Sequence, residues 1–121
     1  MSAARILIVE DDFIIAQLLQ ELVQQLGFEV IGPTANIEDA VNIAAHRKFD
    51  IALLDINLRV GTAKPIADQL NAAGIPFLFI SGYGVANLPD GHTDATLIRK
   101  PIDIELLDQA IRTKLGRSSS R

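Results

Sequence analysis

The stretch Ile51-Ala52-Leu53-Leu54-Asp55 places four apolar residues in an unbroken run and ends it on a carboxylate. A run with no polar alternation fits a strand buried on both faces, the habit of strands inside a parallel sheet. Moving outward, similar runs recur on either side. Residues 28–31 and Ile6-Leu7-Ile8-Val9 lie before it, and residues 77–80 and 95–98 lie after it. Five short aliphatic runs separated by longer segments predict repeated βα units around a five-stranded parallel sheet.

The intervening segments carry the other period. Residues 13–26 repeat apolar side chains at Ile15, Leu18, Leu19, Leu22, Val23 and Leu26, a helical stripe closed by Gly27. Asn36, with Asp39 three residues on, reads as an N-cap ahead of Ile37, Ala40, Val41 and Ala44, so a second helix runs to about His46. Pro65 suits a first helical turn and Gly74 a helix C-cap, which brackets a third. Asp103 caps a last helix through Ile104, Leu107, Ala110, Ile111 and Leu115, and Gly116 stops it. Residues 82–94 occupy the place of one more helix but hold glycines at 82, 84 and 91 and a proline at 89, so the expectation there is a short helix or none.

Composition narrows the function. A chain of 121 residues that is 49% hydrophobic and 21% charged is long enough for one core, and the expectation is one domain over residues 1–115 with a polar tail over 116–121. The lack of cysteine excludes disulfides and thiolate-held metal centres and makes the cytoplasm the default compartment. The apolar run before Glu10 is too short for a signal-peptide core or a membrane span. A net charge of −4 with scattered basic residues argues against direct DNA binding.

Ligands of open parallel sheets bind beyond the carboxyl ends of the strands. Here the first strand ends in Glu10-Asp11-Asp12, the third in Asp55, the fourth in Ser81-Gly82 and the fifth in Arg99-Lys100-Pro101. Each has an ordinary reading alone: Asp12 as a helix cap, Asp55 as a turn residue, Ser81 as a backbone partner, Lys100 as a solvated charge. Together they gather carboxylates that need a cation, most simply Mg²⁺ with oxygen ligands, and supply a lysine beside it. Such a set suits in-line phosphoryl transfer to a carboxylate while the equatorial oxygens are neutralised. Asp55, alone after the central buried run, is the expected nucleophile. Glu10 and Asp11 would hold the metal together with Asp55 and the backbone carbonyl of Asn57, and Ser81 and Lys100 would meet the phosphoryl oxygens.

The motifs Ile6-Leu7-Ile8-Val9-Glu10-Asp11-Asp12, Leu53-Leu54-Asp55-Ile56-Asn57, Ser81-Gly82 and Lys100-Pro101 resemble, in order and spacing, the response-regulator receiver family over residues 5–115. That resemblance implies the CheY-like, flavodoxin-like fold with strand order 2-1-3-4-5 and helices on both faces. It implies Glu10 and Asp11 as the acidic pair, Asp55 as phosphoacceptor, Ser81 and Lys100 in the hydroxyl and lysine places, and a cis peptide between Lys100 and Pro101. Asp12, one step past the pair, caps the first helix. The implied partner is a histidine kinase or histidine phosphotransfer protein. The implied protein is a stand-alone phosphoacceptor rather than an enzyme, monomeric or weakly dimeric.

Receivers usually carry a switching aromatic three residues before the lysine, where this chain has Leu97. The aromatic offered instead is Tyr83, either as a switch or as a plain loop aromatic over the core. It lies in Pro76-Phe77-Leu78-Phe79-Ile80-Ser81-Gly82-Tyr83, similar to a receiver subgroup with a Pro-Phe-x-Phe-Ala-Thr-Gly-Tyr motif that works with HWE-type kinases in alphaproteobacteria. Two rival readings meet obstacles in the same residues. A haloacid-dehalogenase-like phosphatase would need an acid at position 57, and the amide of Asn57 cannot shuttle that proton. A pseudo-receiver that binds partners without phosphorylation would usually have lost Asp55, Lys100 or the acid pair.

Overall fold

The computed structural model describes residues 3–46, 48–58, 61–82, 88–92 and 94–116. The main sheet consists of β1 (Arg5–Val9), β2 (Glu29–Thr34), β3 (Ile51–Asp55), β6 (Phe77–Ser81) and β7 (Leu97–Arg99), all parallel and ordered β2-β1-β3-β6-β7. Counted as main strands, this is the expected order 2-1-3-4-5. A small antiparallel pair, β4 (Asn57–Leu58) with β5 (Gly61–Thr62), follows β3 directly. The helices are α1 (Phe13–Gln25), α2 (Ile37–His46), α3 (Lys64–Ala73) and α4 (Ile104–Lys114).

Alternation along the strands divides the core in two. Leu7, Val9, Ala52, Leu54, Phe77 and Phe79 pack on one face with Ala40 and Ala44 of α2 and Ile66, Ala67 and Leu70 of α3. Ile6, Ile8, Ile51, Leu53, Leu78 and Ile80 pack on the other with Leu19 and Val23 of α1 and Leu107 and Ile111 of α4. Every residue of β3 is buried, as its unbroken apolar run requires. Helix starts follow the caps read from sequence. Asp12 accepts from the backbone N–H of Ile14 and Ile15, Asn36 from Glu38 and Asp39, and Asp103 from Glu105 and Leu106.

Several boundaries differ from the sequence reading. β2 does not stop at Ile31 but runs to Thr34, because a bulge absorbs one extra residue: Leu7 pairs with Ile31, yet Val9 pairs with Thr34. β7 begins at Leu97 rather than at residue 95, since the N–H of Ala95 turns back to the carbonyl of His92. Of the apolar stripe read on α1, Leu19 and Val23 are buried with Ala16, and Ile15, Leu22 and Leu26 pack partly buried against the same core, but Leu18 is 41% exposed. The β4–β5 pair was not anticipated. Of the stretch expected to lack a regular helix, residues 88–92 and 94 form turns and coil, while 83–87, including Tyr83, lie outside the described residues, as does most of the 116–121 tail.

Candidate functional site

The direction of strand succession reverses between β1 and β3, since β2 lies on the far side of β1 and β6 on the far side of β3. A crevice opens where neighbouring connections depart in opposite directions, and it is the ligand position of such sheets. Glu10, directly after β1, and Asp55, ending β3, stand at its two sides.

Backbone bonds fix these strand ends. The N–H of Glu10 donates to the carbonyl of Thr34 at 3.0 Å, that of Ile56 to Ile80 at 3.1 Å, and that of Lys100 to Ser81 at 2.8 Å. Glu10, Asp55 and Ser81 are buried, Asp11 half-buried. One carboxylate oxygen from each of Glu10, Asp11 and Asp55 lies within 4.8 Å of the others. Lys100 Nζ approaches Glu10 Oε1 at 3.3 Å and Asp55 Oδ1 at 3.8 Å. The peptide between Lys100 and Pro101 is cis, as expected.

The acidic group fits a small hard cation. Trans ligands of an octahedral Mg²⁺ stand about 4.2 Å apart, given metal–oxygen distances of about 2.1 Å. Three oxygens on one such ion include at least two cis pairs, which stand about 3.0 Å apart, so carboxylate oxygens grouped within 4.8 Å must draw together to share it. Glu10 adds a second sign: Oε2 accepts the N–H of Asp12 at 3.1 Å, whereas buried Oε1 accepts no hydrogen bond from the described residues. Lys100 is close enough to Oε1 for an ion pair but not aligned to donate to it. A buried carboxylate oxygen with unused acceptor capacity is a suitable metal ligand.

Residues 6–112 match the response regulator receiver domain. The chain belongs to the receiver domain family of two-component response regulators. The receiver is 37% identical over 103 residues to the phyllosphere-induced regulator PhyR of Methylorubrum extorquens, a match covering 82% of this chain but 39% of that protein. It thus spans well under two thirds of that relative's length. Among solved structures it resembles the BeF₃-activated conformation of SdrG from Pseudomonas melonis Fr1, with 32% identity, TM-score 0.78, and 95% and 99% of the two chains covered. It also resembles the receiver domain of PhyR from Erythrobacter litoralis, with 28% identity, TM-score 0.81, and 100% and 96% coverage.

Glu10, Asp11, Asp55 and Lys100 come together at the crevice, and Ser81 ends the neighbouring β6, while Leu97 lies lower on β7, partly buried against the α2–α3 side of the core. Asn57 enters through β4, placing its backbone two residues beyond Asp55. Sequence reasoning missed the bulge of β2, whose Thr34 carbonyl holds Glu10; the Gly32-Pro33 pair inside a strand was its available signal. It also missed His92, buried against Phe77 and Phe79, with Nε2 2.6 Å from Asp68 Oδ1 of α3. A lone histidine carries no pattern that would point 24 residues back along the chain.

Proposed function

We propose that this receiver accepts a phosphoryl group on Asp55 from the phosphohistidine of a histidine kinase or phosphotransfer protein and signals through altered protein contacts. The observation that carries the reading is the placement of Lys100 Nζ against both Glu10 and Asp55 at the switch-point crevice. An Asp55 carboxylate oxygen attacks phosphorus in line, the P–N bond to the donor imidazole breaks, and an acyl phosphate forms as the imidazole departs. Glu10, Asp11, Asp55 and the Asn57 carbonyl would hold Mg²⁺, which supplies charge neutralisation for the transferring group. The Ser81 hydroxyl donates to one phosphoryl oxygen, and the Lys100 ammonium pairs with another.

The protein is then a phosphoacceptor that assists its own phosphorylation and slow dephosphorylation, acting in the cytoplasm as a unit over residues 1–115 with a 116–121 tail. Among the described residues no helix is long and apolar enough to cross a membrane. Phe13 and Ile14, 78% and 75% exposed at the start of α1, adjoin the acid pair and offer apolar footing for the phosphate donor. The Pro76 to Tyr83 motif supports membership in the Pro-Phe-x-Phe-Ala-Thr-Gly-Tyr subgroup, an HWE-type kinase as donor, and Tyr83 rather than Leu97 as the aromatic that responds to Ser81.

Incubation with acetyl phosphate and Mg²⁺ followed by intact-mass spectrometry tests the proposal. The wild type should gain one phosphoryl group, and Asp55→Asn should gain none while keeping its circular dichroism spectrum. Equal labelling of the two proteins would refute Asp55 as acceptor.

A further inference from the structure

Gly32 occupies the bulge of β2, between the Leu7–Ile31 and Val9–Thr34 pairs. Its φ of +92° lies in the region that side-chain-bearing residues avoid. Space there is also closed. A Cβ at Gly32 would sit 2.9 Å from the backbone N of Thr34 and 3.2 Å from the carbonyl O of Ile8. Neither atom belongs to a flexible side chain, so accommodating the Cβ means moving one of two backbones. Both lead to the acid pair: Thr34 holds the N–H of Glu10 through its carbonyl, and Ile8 lies on β1 two residues before Glu10, which follows that strand directly. Beyond the bulge, Pro33 and Ala35 line a cleft of about 410 Å³ together with Glu10 and Asp11. A register without the extra residue would set Pro33 opposite Val9 and withdraw the Thr34 carbonyl from Glu10.

From this arrangement we propose that Gly32 is a positioning residue for Mg²⁺ binding: its bulge, which no other residue type fits without backbone movement, sets the height of Glu10 and Asp11 at the end of β1. The inference rests on the metal site proposed above. Gly27 provides a matched control, because it has the same φ of +92° but no atom within 4 Å of an added Cβ. Gly27→Ala therefore reports the cost of the dihedral alone, and Gly32→Ala reports the dihedral plus displacement of the acid pair's supports.

The experiment is calorimetric titration of Mg²⁺ into wild type, Gly27→Ala and Gly32→Ala, with urea unfolding run on each. Gly32→Ala should bind Mg²⁺ about tenfold or more weakly, a loss of about 1.4 kcal/mol in binding, while Gly27→Ala stays within about twofold of wild type even where both lose stability. Should Gly32→Ala fail to fold, amide exchange in the wild type decides. Metal binding must then strengthen the bond it depends on, so Mg²⁺ should raise protection of the Glu10 N–H beyond the general gain at α4 amides. A folded Gly32→Ala with wild-type Mg²⁺ affinity, or a Glu10 gain no larger than that of α4, overturns the inference while leaving the metal site standing. No Mg²⁺ binding by wild type overturns the metal site, and this inference with it.

Discussion

Truncating Lys100 to alanine should destabilise the protein in the absence of divalent metal and do so much less in its presence. The ammonium lies 3.3 Å from Glu10 Oε1 and 3.8 Å from Asp55 Oδ1. At an effective dielectric constant of about 20 these separations correspond to gross attractions of about 5 and about 4 kcal/mol. Desolvation offsets much of this, and the Lys100 side chain keeps 25% of its surface in water, which screens it further. Removing one member of a fully buried pair typically costs about 3–5 kcal/mol, so this half-buried lysine should cost about 2 kcal/mol. The loss comes from leaving Glu10, Asp11 and Asp55 to repel one another within their 4.8 Å cluster. Saturating Mg²⁺ neutralises the same carboxylates and should reduce the loss to about 1 kcal/mol, which by linkage makes the variant bind Mg²⁺ about fivefold more tightly than wild type. The assay is urea unfolding of both proteins, in EDTA and in saturating Mg²⁺, compared at a common slope. An equal loss under the two conditions would show that lysine and metal do not serve the same carboxylates, and the electrostatic reading of the crevice would fall.

Three further outcomes are expected. Asp11→Ala should weaken Mg²⁺ binding by about tenfold or more in calorimetry, yet match or exceed wild-type stability in EDTA because one repelling charge is gone. Asp12→Ala deprives Ile14 and Ile15 of their N–H acceptor, and the cap should be worth about 1 kcal/mol in urea unfolding with Mg²⁺ affinity nearly unchanged. The Asp68 carboxyl is held below its ordinary range by hydrogen bonding to Lys64 and then to His92. A lowered folded pKa gives a contribution complete above the unfolded value of about 4 and lost as pH falls through the folded one. The urea-midpoint gap between wild type and Asp68→Asn should therefore be widest near neutrality and close in acid; a gap independent of pH would deny the carboxylate this role.

The crevice was legible because its parts are local. Asp55 ends a run whose burial is written in consecutive residues, and Asp12, Asn36 and Asp103 announce helix starts through side chains that reach only two or three residues ahead. What escaped reading depends on distance or on very short elements. β4 and β5 have two residues each, too few to show a period. Gly32-Pro33 reads locally as a strand terminator, whereas pairing with β1 carries the strand through it. Leu18 obeys helical spacing but falls at the edge of the apolar arc, and no neighbouring element reaches it closely enough to bury it. Phe13 and Ile14 look like the start of a core helix and are instead among the most exposed large apolar residues described.

The backbone ties at the strand ends give the crevice a property that a list of ligands would miss. Ile56 donates to Ile80 and Lys100 donates to Ser81, so the acceptor strand, the hydroxyl strand and the lysine strand are joined in series by two bonds of 3.1 and 2.8 Å. On the proposed reading, a displacement of Asp55 would have a short backbone route to Ser81 and onward to Lys100. A route is not in itself coupling, which requires an element with two arrangements that the site can bias. The described residues show one anchor beside β6, at His92. His92 is buried against Phe77 and Phe79 and bonded to Asp68 of α3, and its backbone is held by the carbonyl of Pro89. Phe77 and Phe79 precede Ser81 on β6, so the strand that ends in Ser81 is tied through His92 to α3. The same anchoring gives the Asp68 experiment a second bearing: losing the bond to His92 removes one tie between α3 and the strand that ends in Ser81.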